Sequence, residues 1–279
     1  MEIIESRQNG LIKERIKLQQ KKYRQSTGLF LVEGVRLVEE AWAAGQLTEV
    51  FVDDSVSSTP RGARLFQQLL AQRQERERNS AGTVNCHLVK PDILRLLAET
   101  ESPQGIVGVA RQTSIEISAL KIRHGLILIL DGIQDPGNLG TIWRTAWAAG
   151  VDAIFCLPGT VDPYNGKTVR ATMGGVFHVP VFAGTVTEWL ALRQWCGKEG
   201  FQLVAGELGA SRTHYAVSYS DKVALVIGNE AQGLLTVAPT ELAERVKIPL
   251  MDGAESLNAA VACGILLYEV LRQRQMFNG

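Results

Sequence analysis

Residues 125–150 read GLILILDGIQDPGNLGTIWRTAWAAG, and this stretch decides the class of fold. The run GLILIL is apolar almost throughout, which is typical of a parallel strand that is buried on both faces. The Pro136-Gly137 pair predicts a tight turn, and the next segment has the apolar spacing of a helix that Asn138 opens and Gly150 closes. A strand that passes through a tight turn into a helix predicts an α/β domain with a mostly parallel sheet.

The rest of the second half continues the same alternation of strands and helices. We expect a helix wherever apolar residues recur at helical spacing, and a strand wherever a short apolar run is bounded by turn residues. The last helix is expected to have Ser256 as its cap. The predicted strands cover 126–132, 153–157, 201–207, 222–230 and 245–250, and the predicted helices cover 138–150, 167–175, 186–200 and 256–276.

The first half predicts a smaller α/β unit of the same alternating kind. Residues 111–124 are polar and mixed, so we place the linker there and expect domains at 1–115 and 116–279. The sequence contains no internal repeat. The predicted strands cover 30–34, 49–54, 83–89 and 106–110, and the predicted helices cover 5–24, 35–45, 61–79 and 91–100.

Size and composition are those of a globular protein. The chain has 279 residues, which suggests one large domain or two small ones at roughly 100–200 residues each. Hydrophobic residues make up 46% and charged residues 21%, which is enough for a sizeable core. The 29 basic and 29 acidic side chains balance, which argues against bulk polyelectrolyte binding but leaves room for a local basic patch.

The cysteines and the amino terminus indicate the compartment. Cys86, Cys156, Cys196 and Cys263 form no C-x-x-C pair, which argues against a zinc site or a disulfide framework, and no metal is expected. The first residues, MEIIESRQNG, lack the pattern of a signal peptide, and the longest apolar run is too short to cross a bilayer. We therefore expect a soluble protein in a reducing cytoplasm.

The first 24 residues form a basic patch. They contain seven basic and three acidic side chains, for a net charge of +4. A solvated amphipathic helix and a nucleic-acid contact explain these charges equally well. The six candidates for a nucleic-acid contact are Lys13, Arg15, Lys17, Lys21, Lys22 and Arg24.

Polar and small residues cluster where predicted strands end, and open α/β sheets bind ligands at that edge. Taken singly, each cluster is compatible with an ordinary strand–turn–helix junction. Gly132, Gly137 and Gly140 do not match G-x-G-x-x-G, which disfavours an ordinary dinucleotide fold. Glu230 directly follows an apolar strand, where a carboxylate needs a hydrogen bond or a catalytic task. The clusters are DGIQDPGNLGTIWRTA (131–146), LVIGNEAQGL (225–234) and IPLMDGAESLNAAVACG (248–264).

Together the clusters carry a family resemblance. The segments DPGNLGTIWRTA, LVIGNEAQGL and IPLMDGAESLNAAVACGILLYE resemble the three ordered motifs of the SpoU (TrmH-type) RNA methyltransferases, within the SPOUT superfamily. The resemblance covers residues 125–275. More weakly, the basic helix before FLVEG, then VRLVEEA and ESPQGIVGVA, resembles the substrate-binding domain that often precedes this family's catalytic domain and is similar to an RNA-binding ribosomal protein fold.

This resemblance implies a fold and a cofactor. It implies a trefoil-knotted, mostly parallel α/β domain after a small ribosomal-protein-like α/β domain, with the knot formed by residues 225–260. It also implies that Gly228, Ile248 and Leu257 contact S-adenosylmethionine, largely through backbone. A homodimer is implied too; the final helix and Trp143 or Trp147 are candidates for its surface, although core packing explains either tryptophan as well.

The resemblance further implies transfer of a methyl group to a ribose 2′-hydroxyl, of ribosomal RNA rather than transfer RNA by analogy. It assigns the catalytic tasks to Asn138, Arg144, Glu230, Ser256 and Asn258. A guanidinium is a poor base, so we expect Arg144 to clamp a phosphate and favour a developing alkoxide. Glu230 would hold Arg144 or Asn138, and Ser256 and Asn258 would orient the ribose.

Other functions remain open at this stage. A base methyltransferase of the same superfamily is disfavoured by Ser256 and Asn258 in the third motif. A non-catalytic RNA-binding or ribosome-assembly protein on the same scaffold is disfavoured by the complete set of polar residues. A nucleotide-dependent dehydrogenase is disfavoured by the missing phosphate fingerprint.

Overall fold

The computed structural model describes residues 3–76, 84–113 and 116–274. The strands are β1 (Ile3–Ile4), β2 (Leu29–Glu33), β3 (Leu47–Val52), β4 (Asn85–Val89), β5 (Ile106–Arg111), β6 (Leu126–Asp131), β7 (Ala153–Cys156), β8 (Val181–Ala183), β9 (Gln202–Gly206), β10 (Arg212–Thr213), β11 (Val223–Gly228) and β12 (Glu244–Lys247). The helices are α1 (Gly10–Ile16), α2 (Lys21–Thr27), α3 (Val35–Ala43), α4 (Pro60–Arg76), α5 (Pro91–Leu97), α6 (Pro136–Ala148), α7 (Gly166–Ala171), α8 (Val186–Glu199) and α9 (Ala259–Gln273).

The chain forms two compact units. The first combines Met1–Thr113 with Tyr164–Phe177, and the second combines Ser114–Pro163 with His178–Gly279. The segment that carries α7 packs with the first unit. The sequence does not predict this, because the segment contacts residues that lie far away from it in the chain.

The contacts of the α7 segment within the first unit are aromatic and ionic. The ring of Tyr164 lies 4.8 Å from the ring of Phe30. The guanidinium of Arg170 lies 3.0 Å from a carboxylate oxygen of Glu99 and 3.4 Å from one of Glu33. These contacts account for the grouping of residues 164–177 with the amino-terminal part of the chain.

The sheet of the first unit is mixed and has the order β1-β4-β3-β5-β2 within the described residues. The strands β1, β4 and β3 are parallel, and β5 runs antiparallel to both β3 and β2. Phe51, Ile93 and Leu94 form the centre of one core together with Ile12 of α1. This core holds α1 and α5 against the sheet.

The predicted single helix over residues 5–24 is wrong. The side chain of Asn9 accepts hydrogen bonds from the backbone N–H groups of Leu11 and Ile12, so α1 begins only at Gly10. Gln20 then adopts an extended conformation that ends the first helical segment before α2 begins. No glycine or proline marks this break, which is why the sequence does not reveal it.

The sheet of the second unit is parallel throughout its described strands and has the order β10-β12-β9-β11-β6-β7-β8. Every residue of β6 from Leu126 to Leu130 is 0% exposed, as expected for a parallel strand with both faces covered. Trp189 and Leu192 of α8 cover one face of the sheet, and α9 packs on β9 and β11. The predicted mostly parallel α/β architecture is confirmed for this unit.

Within the described residues, none of the helices combines the length and the apolar character that a membrane span requires.

Candidate active site

A cavity of about 530 Å³ lies at the carboxyl edge of the second unit's sheet. Since β9, β11 and β12 are parallel, their carboxyl ends meet at one edge, where α/β sheets bind ligands. The cavity brings together Gly228, Ile248 and Leu257, which the sequence predicts as cofactor contacts. Its other lining residues are Gly206, Glu207, Leu208, Gly209, Ile227, Asn229, Glu230, Ala231, Gln232, Gly233, Arg245, Leu250, Ser256, Ala259, Ala262 and Leu266.

The wall at Gly228 is formed by a close approach of two backbone segments. A β-carbon at Gly228 would lie 2.6 Å from both the carbonyl carbon and the carbonyl oxygen of Gly233. Real β-carbons do not come this close to backbone, so any side chain at position 228 would displace the neighbouring segment. Glycine is therefore needed here for the backbone to approach and to leave the cavity open.

The segment after β11 folds back on itself, and we call residues 229–237 the β11 loop. Asn229 and Gly233 exchange two backbone hydrogen bonds, at 2.7 and 3.0 Å. The Oδ1 atom of Asn229 accepts hydrogen bonds from the N–H groups of Ala231 and Gln232. This side-chain-closed turn sets the shape of the wall between Gly228 and Gly233.

Three predicted catalytic residues form a chain of hydrogen bonds beside the cavity. Asn258 Nδ2 donates to Asn138 Oδ1 at 2.8 Å, and Asn138 Nδ2 donates to Glu230 Oε1 at 2.8 Å. Glu230 also lines the cavity. Residues from all three sequence clusters therefore meet at one place, and the carboxylate of Glu230 fixes which way the Asn138 amide is oriented.

The residues that cap α6 and α9 differ from the predicted ones. The side chains of Asn138 and Ser256 are therefore not used as helix caps. Asp135, not Asn138, caps α6, because its carboxylate accepts the Asn138 N–H at 2.8 Å. Asn258, not Ser256, caps α9 through its Oδ1 atom. As a result the side chain of Asn138 is available to Glu230, and Ser256 lies in the wall of the cavity.

Arg144 lies on the exposed side of α6. Its guanidinium makes no hydrogen bond or ion pair with any residue that the structure describes. The sequence leaves open whether Glu230 holds Arg144 or Asn138, and in the structure Glu230 binds Asn138. Arg144 is thus a cationic group available to a ligand from outside the protein.

Models of two known families match the two halves of the chain. The model of the SpoU rRNA methylase family matches residues 125–268, which include every residue of the hydrogen-bonded chain. The chain belongs to the SpoU rRNA methylase family. The model of the MRM3-like substrate-binding domain matches residues 9–108 of the first unit. The resemblance drawn from the sequence motifs is confirmed.

Relatives and solved structures agree along nearly the whole chain. The chain is 34% identical over 271 residues to the 23S rRNA (guanosine(2553)-2'-O)-methyltransferase of Bacillus subtilis, which covers 97% of this chain and 99% of that protein. It is 31% identical to the AdoMet-bound rRNA methyltransferase of Sinorhizobium meliloti, with a TM-score of 0.82 and 97% of each chain covered. It is 26% identical to the SpoU methyltransferase AviRb of Streptomyces viridochromogenes in complex with AdoMet, with a TM-score of 0.81 and coverage of 96% and 99%.

Two of the six basic residues that the sequence proposes for RNA are committed to the fold of this SpoU chain. Arg24 is only 3% exposed, and its Nη1 atom donates to the carbonyl oxygens of Leu18 and Gln19 at 2.8 and 2.7 Å. Arg15 forms a two-bonded ion pair with Glu49, which raises the pKa of Arg15 above its ordinary value. We therefore withdraw Arg15 and Arg24 from the predicted RNA contacts, because buried or paired guanidinium groups are not presented to a phosphate.

The other four basic candidates lie on the surface of the first unit. Lys13 is on α1, Lys21 and Lys22 are in the first turn of α2, and Lys17 lies between these helices with its Nζ atom 5.5 Å from the ring centre of Tyr23. All four are exposed. They form the part of the predicted patch that a phosphate backbone can reach.

No cysteine of this family member is placed for nucleophilic chemistry. All four cysteines are buried, and none of them forms a disulfide. Burial raises the pKa of the Cys156, Cys196 and Cys263 thiols to about 12, which keeps them protonated near neutral pH. Among the described residues, no group of three histidine, cysteine, aspartate or glutamate side chains could hold a metal ion.

Two site-shaping residues were missed by the sequence reasoning, namely Asp131 and Asn229. Asn229 shapes the β11 loop. It could have been found from the sequence as an asparagine that directly follows Gly228 at a strand end, where asparagine side chains close turns. Asp131 is 0% exposed at the end of β6. Its signal was a charged residue that directly follows five apolar ones, since a buried carboxylate requires hydrogen-bond donors.

Proposed function

We propose that this chain transfers the methyl group of S-adenosylmethionine to a ribose 2′-hydroxyl of ribosomal RNA, using the cavity at the carboxyl edge of its parallel sheet. The observation that carries the proposal is the meeting of all three motifs there. Gly228, Ile248 and Leu257 line the cavity, and Glu230 joins it to the amides of Asn138 and Asn258. As a SpoU family member the chain is an S-adenosylmethionine-dependent RNA 2′-O-methyltransferase.

The cavity has the size and lining that such a methyl donor needs. Its volume of about 530 Å³ falls within the range of roughly 300–1,000 Å³ found for small-molecule sites. Ile248 and Leu257 offer apolar contact to an adenine, and Glu207 and Glu230 place acidic groups in the wall. S-adenosylmethionine supplies an electrophilic methyl group on a positively charged sulfur, and acidic wall groups favour such a cation.

The hydrogen-bonded chain is proposed to orient the ribose. Glu230 fixes the Asn138 amide, and Asn258 is fixed at the same time by its capping bonds to α9. Ser256 also lines the cavity. Rigid placement of the reacting hydroxyl is a large part of what a direct methyl transfer requires.

Arg144 is proposed to clamp an RNA phosphate and to stabilise the oxygen as its proton leaves. A guanidinium is a planar donor that suits phosphate oxygens, and it is a poor base. Support for this role comes from its exposure and from the absence of a hydrogen-bonding partner among the described residues. In the reaction the ribose oxygen forms a bond to the methyl carbon, the sulfur–carbon bond breaks, and the hydroxyl proton passes to solvent.

The first unit is proposed to supply RNA affinity. Lys13, Lys17, Lys21 and Lys22 are exposed, and ammonium groups that neutralise phosphates give binding that depends on salt. The match of residues 9–108 to an MRM3-like substrate-binding domain supports this assignment.

The trefoil knot implied by the family is proposed for residues 225–260. Its support is the path of the chain, which leaves β11, returns to the sheet as β12 on the far side of β9, and ends in α9 against β9 and β11. An experimental electron-density map traced through this segment tests the proposal. A trace in which α9 can be withdrawn without passing through a loop would contradict it.

A homodimer is also proposed, with α9 in its surface. Val261 and Tyr268 of α9 are 52% and 45% exposed, so this helix offers apolar and aromatic side chains to a partner. Trp143 is withdrawn from this surface because it is 0% exposed and donates a hydrogen bond to the Val179 carbonyl oxygen, whereas Trp147 is half-buried. Sedimentation of the wild-type chain and of Val261→Asp tests the dimer, and an active wild-type monomer would contradict it. Location in the cytoplasm stays a prediction.

Methyl transfer to defined RNA tests the function. Purified protein is incubated with methyl-labelled S-adenosylmethionine and ribosomal RNA from a strain that lacks the gene, and the RNA is then digested to nucleosides. We expect the label in a 2′-O-methyl nucleoside. Label on a base would establish the base-methylating alternative, and absence of donor binding in calorimetry would establish the non-catalytic one.

A further inference from the structure

The carboxylate of Asp131 binds three consecutive backbone N–H groups of the β11 loop. Its Oδ2 atom accepts hydrogen bonds from Leu235, Thr236 and Val237 at 2.8, 2.7 and 3.0 Å. Asp131 is 0% exposed. Successive N–H groups that converge on one oxygen form an anion-binding concavity, here occupied by a side chain of the same protein.

The neighbouring residue holds the other end of the same loop. The carbonyl oxygen of Gly132 accepts a hydrogen bond from Asn229 Nδ2 at 2.8 Å. In the register of the sheet Asp131 lies opposite Gly228, the residue at which the cavity wall begins. The end of β6 therefore anchors the β11 loop at both of its ends, at residue 229 and at residues 235–237.

The carboxylate is used only for this task within the described part of the chain. Its second oxygen, Oδ1, is buried and has no hydrogen-bond partner there. Hydrogen bonds to a charged acceptor are roughly twice as strong as those between neutral groups. The carboxylate of Asp131 thus holds residues 235–237, whereas the bond from Asn229 to Gly132 and the internal turn hold the other end of the loop.

We propose that Asp131 is a positioning residue that preorganises the β11 loop for the methyl donor. Asp131 does not line the cavity, and it would act through Asn229, Glu230 and Gly233 of the wall. This inference rests on the proposed function, because it assigns the cavity to S-adenosylmethionine. Its signature is a raised KM for the donor with little change in kcat once the donor saturates the enzyme.

Asp152 offers a matched control in the same unit. It is 9% exposed, and its carboxylate accepts the backbone N–H groups of Arg123, His124 and Leu126. These residues lie at the amino end of β6, whereas the cavity lies at the carboxyl edge of the sheet. Asp152 is thus another carboxylate that stabilises backbone, but it has no connection to the cavity wall.

The experiment compares Asp131→Asn with Asp152→Asn in the full-length chain. We expect Asp131→Asn to raise the KM for S-adenosylmethionine about tenfold, as the loss of charge from a set of buried hydrogen bonds implies, while kcat changes less than about threefold. We expect the two variants to lower Tm by similar amounts. Asp152→Asn, however, should leave the KM for S-adenosylmethionine unchanged. Equal effects of the two variants on KM would overturn the proposal.

Amide hydrogen exchange supplies a readout that does not depend on the donor. Asp131→Asn should speed exchange at Leu235, Thr236 and Val237 but not at Leu126, and Asp152→Asn should do the reverse. If the wild-type chain fails to bind the donor, the proposed function fails, yet the exchange pattern still shows whether Asp131 anchors the loop. Unchanged exchange at residues 235–237 would overturn the anchor itself.

A second variant covers the case in which Asp131→Asn does not fold. Asn229→Ser removes the Nδ2 donor to Gly132 without adding a charge to the cavity wall, and its hydroxyl oxygen can still close the internal turn. We expect it to raise the KM for the methyl donor without affecting the buried carboxylate. A folded Asn229→Ser protein with a wild-type KM would contradict anchoring of the loop by the end of β6.

Discussion

Asn138 donates a hydrogen bond from Nδ2 to Oε1 of Glu230 at 2.8 Å, although the two residues are 92 positions apart in the chain. The bond joins the first motif to the second, and Asn258 adds the third motif by donating to the other end of the same amide. The carboxylate at position 230 thus determines the orientation of the amide at position 138.

Glu230→Gln is expected to lower kcat about tenfold, because a neutral acceptor holds the Asn138 amide less firmly and a loss near 1.4 kcal/mol corresponds to a factor of ten. The affinity for S-adenosylmethionine should change less than about threefold, since most of the cavity wall is unaltered. Glu255→Gln is the control, because Glu255 is exposed and makes no hydrogen bond or ion pair with a described residue. Steady-state kinetics and calorimetry measure both quantities, and a wild-type kcat would argue against the orienting role.

Arg144→Ala is expected to reduce methyl transfer by about 10²–10³-fold, as the loss of one donor to a developing oxyanion typically does. Donor binding in calorimetry should persist, because Arg144 does not line the cavity. Arg144→Lys keeps the charge but not the planar fork, so we expect only partial recovery. Near wild-type turnover of the alanine variant would show that Arg144 is not catalytic.

Replacement of Lys13, Lys17, Lys21 and Lys22 by alanine is expected to weaken RNA binding and flatten its dependence on salt. Each phosphate that a lysine no longer neutralises should reduce the slope of log K against log salt by about 0.7–0.9. Binding measured at several salt concentrations gives this slope, and Lys198→Ala on α8 of the other unit is the control. An unchanged slope would mean that these lysines only solubilise the protein.

Arg24→Ala is expected to lower the stability of the protein and to leave RNA binding unchanged, in contrast to the lysine replacements. Removal of the guanidinium leaves the carbonyl oxygens of Leu18 and Gln19 without their donor, which should lower the free energy of unfolding by about 1–3 kcal/mol. The salt slope of RNA binding by the folded variant should match the wild type. A reduced salt slope would indicate that Arg24 does contact RNA.

Gly228→Ala is expected to weaken S-adenosylmethionine binding at least tenfold, because its methyl group would lie 2.6 Å from the backbone of Gly233 and must push the wall aside. Gly197→Ala is the control: it lies in α8, has no atom within 4 Å of the added methyl group, and should stabilise the helix slightly. Calorimetric titration with the donor measures the effect. If Gly228→Ala bound S-adenosylmethionine with unaltered affinity, the wall between Gly228 and Gly233 would not be part of the donor site.

Acid stability is expected to depend on Glu269. The side-chain hydrogen bond from Arg272 lowers the pKa of Glu269 below its ordinary value of 4.5. A lowered pKa in the folded state gives a stabilisation that is present above pH 4.5 and is lost as the pH falls through the folded value. Melting temperatures of Glu269→Gln should therefore fall less steeply below pH 4.5 than those of the wild type or of Glu255→Gln. Parallel curves would contradict this linkage.

The strands and helices with a clear local pattern of apolar residues could be predicted from the sequence. The apolar run of β6 predicts a buried parallel strand, and every residue from Leu126 to Leu130 is fully buried. The strands at 222–230 and 201–207 and the helix at 186–200 were also located within a few residues. The short strand Val181–Ala183 was missed, because three residues give too little pattern to detect.

Local rules failed where more than one polar residue could perform the same task. Asn138 and Ser256 are both good cap residues, but Asp135 and Asn258 perform the capping. Arg15 and Arg24 look like their lysine neighbours in the sequence, yet one pairs with Glu49 and the other binds backbone carbonyls. Such choices depend on which partner the folded chain brings within reach.

The sequence by itself determined most of the longer strands and helices, the parallel sheet of the second half and the three motifs, because these are properties of neighbouring residues and their spacing. Only the tertiary structure decided that Asp131 holds the β11 loop, that Glu230 orients Asn138 and that α7 packs with the first unit. The physical reason is that a hydrogen bond needs its two atoms about 3 Å apart. Residues a hundred positions apart reach that distance only when the sheet has been assembled.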